Sequence, residues 1–284
     1  MESAEEMGAL HHVRPWRYAW LHVLLILGSL ITLLPFLWML GTSLKSASEV
    51  FSATPTFLPK AWRWENYQEV FQRAPFARFY WNTIVVTVAR VAGQILLCSM
   101  AGYAFARLRF PGREALFLAV LAVLMLPEQV TLVPKYVLLK YLGWLDTYQG
   151  LIVPSLFSAL GTFLLRQFFM TLPSDLDDAA VLDGCNPFQV YWHVALPLAR
   201  PTILAFGLLV VLWSWNDFLW PLIVTSSTEM QVLSVGINYF QGQYVTNFAV
   251  MMAAATVATV PMLIVFIIVQ NHLIEGITMS GLRM

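Results

Sequence analysis

Charged side chains are scarce in this 284-residue sequence: Asp, Glu, Lys and Arg together make up 11%, against about a quarter in a soluble domain. So few charges cannot clothe a water-soluble surface, so lipid must cover much of this one. The formal net charge is zero, which removes any electrostatic case for nucleic acid as a partner. Cysteine is nearly absent too. Cys98 falls in an apolar stretch and Cys185 in a polar one, a pair that fits neither a disulfide framework nor a metal site. The sequence holds no G-x-x-x-x-G-K-[ST] phosphate loop, so any nucleotide chemistry must come from another chain. It also lacks a His-x-x-x-His pair and a G-x-S-x-G elbow. His11-His12 lies in a polar tail and reads as solvated rather than as ligating, because a metal needs more converging groups. The expectation is a chain that is not an enzyme and binds no cofactor of its own.

What the sequence does have is apolar length, with 59% hydrophobic residues. Hydrocarbon offers backbone groups no hydrogen-bond partner, so a crossing segment must be a helix or part of a closed barrel. Runs of about 20 apolar residues indicate helices. Six are predicted: 18–40, 80–106, 115–138 interrupted by Pro127, 147–169 with Pro154 near its start, 201–224 and 248–270. The first is longer than a signal-peptide core and lacks a small-residue cleavage site, so it reads as retained. The fold class is all-α membrane protein, divided as a tail 1–17, a six-helix domain 18–271 and a tail 272–284. Six crossings leave both termini on one side. Lys and Arg are nearly balanced, eight on the side of the termini against seven on the other, but the short loop 107–113 carries Arg107, Arg109 and Arg113, and the positive-inside rule, which weighs short loops most, then favours cytoplasmic termini.

The polar loop 170–200 is organised beyond a connector's needs. Ser174 suits a helix N-cap, and Asp175, Asp177 and Asp178 fall in the first turn, where the helix dipole favours negative charge. The helix can continue through Ala179 and Ala180 to Asp183, with Gly184 as its left-handed end. Asn186 then caps a second helix opened by Pro187, carrying Phe188, Tyr191 and Trp192 and ending before Leu196-Pro197. The small alanines would let another protein's backbone approach. The alternative is an amphipathic hairpin resting on lipid headgroups.

Span five carries Trp213, Trp215, Asn216, Asp217, Trp220 and Pro221. Polar groups at membrane depth usually face a bundle interior or a wet cavity. Pro221 cannot donate to the carbonyl of Asp217, which frees an acceptor there. Trp213, Asp217 and Trp220 lie on one helical face at i, i+4 and i+7, offering a sugar both hydrogen bonds and flat apolar surface. The competing reading is an interfacial aromatic belt. Glu128, beside Pro127, is a second candidate buried acid on the solute path. A proton-coupled secondary transporter would use such acids as relays, but its mark, inverted repeats, is not visible in the two halves. Arg90 in span two is expected to pair with an intramembrane acid.

Asp178-Ala179-Ala180-Val181-Leu182-Asp183-Gly184, with Leu196-Pro197 and Pro201 downstream, resembles the EAA loop of ABC importer permeases, with Asp178 in place of the usual Glu. Glu65-Asn66-Tyr67, Tyr103-Ala104-Phe105-Ala106-Arg107 with Phe110-Pro111-Gly112, Met125-Leu126-Pro127, Trp215-Asn216-Asp217-Phe218-Leu219-Trp220-Pro221 and Glu275-Gly276-Ile277 extend the likeness along the chain. The ordered set resembles the carbohydrate branch, the MalG-like permeases. The run 163–173 is similar to glycerol-phosphate permeases. The resemblance implies a type I importer (MetI-like) fold in a bacterial inner membrane. It implies a cytoplasmic coupling helix, with Asp175, Asp178, Ala179, Ala180, Asp183, Gly184 and Phe188 facing an ATPase. The implied partners are a second homologous permease, two ATPase subunits that hold ATP and Mg, and an extracytoplasmic solute-binding protein. The implied solute is a sugar or a glycerol phosphate. Five Lys+Arg against three Glu in 41–79 keep a phosphorylated solute admissible.

Overall fold

The computed structural model describes residues 19–52, 54–241 and 247–281, with side chains described between 20 and 268 and at 270. The His11-His12 pair lies outside the described residues. Those residues form helices and turns, with no strand among them. Three helices are long and apolar enough to cross a membrane unaided: Trp20–Ser43, Phe76–Arg107 and Phe248–Ile268. They correspond to predicted spans one, two and six, and the last helix runs on to Gly281.

The remaining three predicted spans are broken. Span three was expected as one interrupted crossing, but Arg113–Met125 and Glu128–Leu142 meet at 101°. The cause is local: the residue before a proline is driven out of the helical region, and Leu126 (ψ 122°) and Pro127 (ψ 134°) are both extended. In span four Tyr148–Ser155 and Ala159–Thr171 are inclined by 42°. The Ser158 side chain restarts that helix by accepting from the N–H of Gly161. Span five is not a continuous helix over 201–224. Arg200–Asn216 stops at an extended Asp217 (ψ 114°), and Leu219–Val224 follows as a separate turn and a half.

Each proline inside a span frees the carbonyl four residues before it, and three of these find a donor on another element. The Gly150 carbonyl, opposite Pro154, accepts from the Trp220 indole N–H at 3.1 Å. The Asp217 carbonyl, opposite Pro221, accepts from the Ser234 hydroxyl at 2.6 Å. The Val257 carbonyl, opposite Pro261, accepts from the Tyr80 hydroxyl at 2.8 Å. The breaks of spans four and five, and the Pro261 site within the continuous span six, are therefore stitched across the bundle rather than left to water.

Span two is the element around which this is done. Thr87 meets Ser214, Gln94 donates to the Ser155 carbonyl, and Cys98 exchanges hydrogen bonds with Ser158. Span two approaches span four so closely at Gly102 that a Cβ there would lie 2.9 Å from the Arg166 backbone nitrogen. One apolar core joins spans two, four and five to the 174–198 segment through Tyr103, Leu165, Phe169, Ala180, Tyr191 and Phe206. A second, at the opposite end, gathers Val70, Phe76, Phe79, Leu233, Phe240 and Val250. Val70 belongs to a helix, Glu65–Arg73, inside the segment 41–79 that was expected to be a loop. It is tied to the end of span one by the Asn66 amide, which donates to the carbonyls of Ser43 (2.7 Å) and Lys45 (2.9 Å).

Two loops at that end are buckled by Asp146, a non-glycine residue in the left-handed region (φ 56°). Its carboxylate accepts from the backbone N–H groups of Ser226 (2.9 Å) and Ser227 (3.0 Å). Partial burial pulls its pKa upward, but the hydrogen bonds from Ser227 and Ser226 outweigh this and hold it below the usual value. A lowered folded pKa contributes stability above the unfolded value, near 3.9, that is lost as pH falls through the folded one. The melting difference between wild type and Asp146→Asn, measured in detergent, should therefore be largest above about pH 4 and shrink on further acidification.

Candidate functional site

The 174–198 segment folds as two short helices around a tight turn. The first, Asp175–Leu182, has Asp175, Asp177 and Asp178 in its opening turn. Ser174 does not cap it with its side chain: its backbone is already helical (φ −64°, ψ −29°), and its carbonyl receives the N–H groups of Asp177 and Asp178. The C-terminus closes as a Schellman motif. Cys185 donates to the Ala180 carbonyl at 2.9 Å and Gly184 to that of Val181 at 3.0 Å, with Gly184 at φ 88°. Asn186 and Gln189 then form a reciprocal capping box with Pro187 at the first helical position. This second helix does not stop before Leu196-Pro197. It passes through a π turn at Tyr191–Ala195 and continues as Leu196–Leu198, the wider turn accommodating a residue that cannot donate.

Anchoring and display are divided between side chains. Ala180, Val190 and Tyr191 are buried in the adjoining core, and the Tyr191 hydroxyl meets Ser99 at 2.8 Å. Arg107, at the end of span two, pairs with Asp177 at 3.4 Å and also donates to the Leu172 carbonyl. Asp175, Asp178, Ala179, Asp183 and Gly184 face outward. So do Val181, Leu182 (89% exposed) and Phe188 (59%). The result is a doubly capped helix–turn–helix with an apolar and acidic outer face. Its seat is braced by Arg166, which donates to Glu114 at 3.0 Å and to the Phe105 carbonyl at 3.3 Å, with its guanidinium 4.0 Å from the centre of the Phe117 ring.

The solute-path residues are not brought together. With the helix ended at Asn216, Trp213, Asp217 and Trp220 no longer share a face. Trp213 is half-exposed. Trp220 is buried with its indole committed to Gly150. The Asn216 amide donates to the Leu212 carbonyl at 2.8 Å and the residue is exposed. Asp217 turns to Arg90, accepting at 2.8 Å. Glu128 is exposed rather than buried, in the first turn of the helix that restarts after Pro127, a position the helix dipole favours.

Arg90 answers the question the sequence left open. Its Nε and one terminal nitrogen donate to the Leu151 carbonyl (3.1 and 2.7 Å), and the other terminal nitrogen donates to Asp217. One guanidinium thus ties the breaks of spans four and five to span two. A lone arginine among apolar residues was the available signal, but its partner lies 127 positions away. Ser234, Tyr80 and Glu114 gave no comparable signal, since each acts through a partner that only the fold brings near. Among the described residues no group of three or more His, Cys, Asp or Glu could hold a metal.

The family model described as "Binding-protein-dependent transport system inner membrane component" matches residues 94–278. The chain belongs to this family. The permease is 32% identical over 265 residues to the sn-glycerol-3-phosphate transport system permease protein of Brucella suis biovar 1, covering 90% of this chain and 94% of that one. It is 34% identical over 266 residues to the diacetylchitobiose uptake system permease protein of Streptomyces coelicolor, covering 92% and 88%. A bacterial ABC transporter that imports the acidic polysaccharide alginate has a chain of the same fold, with TM-score 0.79 and 24% identity over 88% of this chain and 94% of that one. The permease therefore has the type I ABC importer fold, is an inner-membrane transport subunit and not an enzyme, and replaces the secondary-transporter alternative.

Arg90→Met should leave Asp217 without its cation and the Leu151 carbonyl unpaired. Removing one partner of a fully buried pair costs roughly 3–5 kcal/mol. With the Asp217 side chain 23% exposed, a loss of about 2–4 kcal/mol is expected. It should appear as a lower melting temperature of the detergent-solubilised permease, and Asp217→Asn added to Arg90→Met should recover part of it.

Proposed function

We propose that this permease imports a sugar or sugar-like solute, and that its 174–198 segment is the handle by which a separate ATPase drives it. The observation that carries the reading is a doubly capped helix pair, buried on one side through Ala180 and Tyr191 and presenting Leu182 and Phe188 on the other. A hairpin lying on headgroups would need no such rigid turn. A lever gripped by a moving subunit does, because rigid-body closure is transmitted only through an element that does not bend. The apolar side chains seat in the ATPase, and Asp175, Asp178 and Asp183 offer it ion pairs.

In this reading ATP and Mg stay on two ATPase copies, and a second permease completes the pore. An extracytoplasmic binding protein delivers solute to the end that carries the 225–240 loop. Both termini and the handle face the cytoplasm, in accord with the arginines of loop 107–113. The relatives named above belong to systems that transport sn-glycerol 3-phosphate and diacetylchitobiose, which supports a hydroxyl-rich solute. The solute passes the break in span five, where Asn216 is exposed and Trp213 half-exposed. Asp217 and Trp220 hold that break in shape, and Glu128 lies at the corresponding break in span three.

Gly184 tests the handle. A Cβ there meets nothing within 4 Å, so a substitution acts through the backbone alone. A left-handed conformation costs an ordinary residue about 1–2 kcal/mol, while Asn visits it readily. In the complex reconstituted into proteoliposomes, Gly184→Val should reduce ATPase co-purification or separate ATP hydrolysis from uptake. Gly184→Asn should behave nearly as wild type. Full coupling in the valine variant would sink the handle.

A further inference from the structure

The break in span five opens one wall of a cleft of about 510 Å³, within the roughly 300–1,000 Å³ of small-molecule sites. Its other walls come from span one, span six and the 233–238 turn. Arg200–Asn216 has 17 residues and is about 25 Å long. The cleft therefore lies nearly a membrane's thickness away from the handle, at the end where the 225–240 loop is clamped.

Its lining has a distinct chemistry. Phe36, Trp215 and Phe218 supply aromatic surface, and Asn216, Asn238 and Thr259 supply polar groups. Among the described residues no charged one lines it. The Asn216 Oδ1 is free to accept once its amide nitrogen has taken the Leu212 carbonyl. The Asn238 side chain, half-buried, makes no hydrogen bond among the described residues, although the carboxamide has two donors and an acceptor to offer. Arg90 and Asp217, the nearest ion pair in sequence, neutralise each other, with Arg90 fully used by Leu151 and Asp217. Carboxamides beside aromatic rings suit hydroxyl groups and the C–H face of a pyranose. They cannot balance a phosphate or carboxylate, whose desolvation requires a cation or several strong donors.

Resting on the importer reading above, we propose that this cleft is a solute subsite of the permease that accepts an uncharged, hydroxyl-bearing saccharide unit, with Asn216 and Asn238 as its hydrogen-bonding groups. The solute class is thereby narrowed to neutral saccharides, and sn-glycerol 3-phosphate is excluded.

The test uses the complete complex in proteoliposomes with its binding protein. The probes are radiolabelled N,N′-diacetylchitobiose, arabinotriose and sn-glycerol 3-phosphate. The wild type should take up at least one saccharide and not the phosphate ester. Asn238→Ala, which breaks no internal bond, should lower saccharide uptake per ATP hydrolysed roughly three- to tenfold, the value of one hydrogen bond. Ala255→Phe, which fills the cleft, should lower it further. If the wild type imports none of the three probes under ATP, the importer reading fails. If it imports a saccharide and both variants match it, the cleft proposal fails alone. Uptake of the phosphate ester in preference to the saccharides overturns the neutral-solute assignment. Loss of the second permease from the purified Ala255→Phe complex would mark the cleft as a subunit interface and overturn the proposal as well.

Discussion

A carbonyl without a partner is not tolerated in hydrocarbon, and the architecture of this permease is a solution to that constraint. Spans four, five and six each contain a proline that strips one carbonyl of its helical donor. Each such carbonyl is met by a side chain from another element: Trp220 on Gly150, Ser234 on Asp217 and Tyr80 on Val257. The breaks of spans four and five, and the proline site inside the continuous span six, are consequently places of tertiary linkage rather than of weakness. They recur at fixed places because the donors are fixed there by packing, as Tyr80 is against Trp215 and Trp220 is against Leu139 and Val224.

Arg90 is the extreme case of the same logic. An isolated guanidinium inside a bundle is costly, and replacing a buried ion pair by apolar side chains is often neutral or stabilising. Its presence is therefore not explained by stability alone. What it supplies is a planar fork that reaches two breaks at once, with two donors on the Leu151 carbonyl and one on Asp217. An apolar replacement could fill the volume but could not hold the break of span five in register with that of span four.

The crossings and the handle were legible in the sequence for different reasons. Apolar length identifies a span wherever the helix is continuous, and it found 76–107 and 248–268 without difficulty. The handle could be read because its signals are local: Gly184, Asn186 and Pro187 each specify a backbone state within a residue or two. Failure came where a local rule was extended through a break. Trp213, Asp217 and Trp220 share a face only if the helix runs past Asn216, and Pro221 with the polar pair before it prevents that. Glu128 was read as buried because its neighbours are apolar, yet the turn at Pro127 brings it to a helix start at the surface. Ser174 failed on a smaller scale, because a residue suited to capping had already entered the helix. Partners such as Asn66 with Ser43, or Arg90 with Asp217, needed the tertiary structure.

Helix Arg200–Asn216 connects the 174–198 segment directly to the cleft proposed as the solute subsite. At one end it meets the handle through a 78° bend, where Ala199 is fully buried and its carbonyl still receives the N–H of Ile203, so the corner is packed rather than hinged. At the other it ends on the Arg90–Asp217 pair and forms a wall of the cleft. In the proposed coupling a displacement of the 174–198 segment is carried along this helix to the break, because its backbone ladder is continuous from Arg200 to Asn216. Phe206 and Val210, buried midway in the same core that receives Ala180 and Tyr191, give the helix a fulcrum. At the extended residue Asp217 the helical ladder is already interrupted, and its carbonyl and carboxylate are held by Ser234 and Arg90, so the end of the rod is tied to the 233–238 turn and to span two. The proposed coupling between a nucleotide-driven motor and a solute subsite thus requires no long chain of side-chain adjustments. It requires a stiff rod, a packed corner at one end and a prepared break at the other.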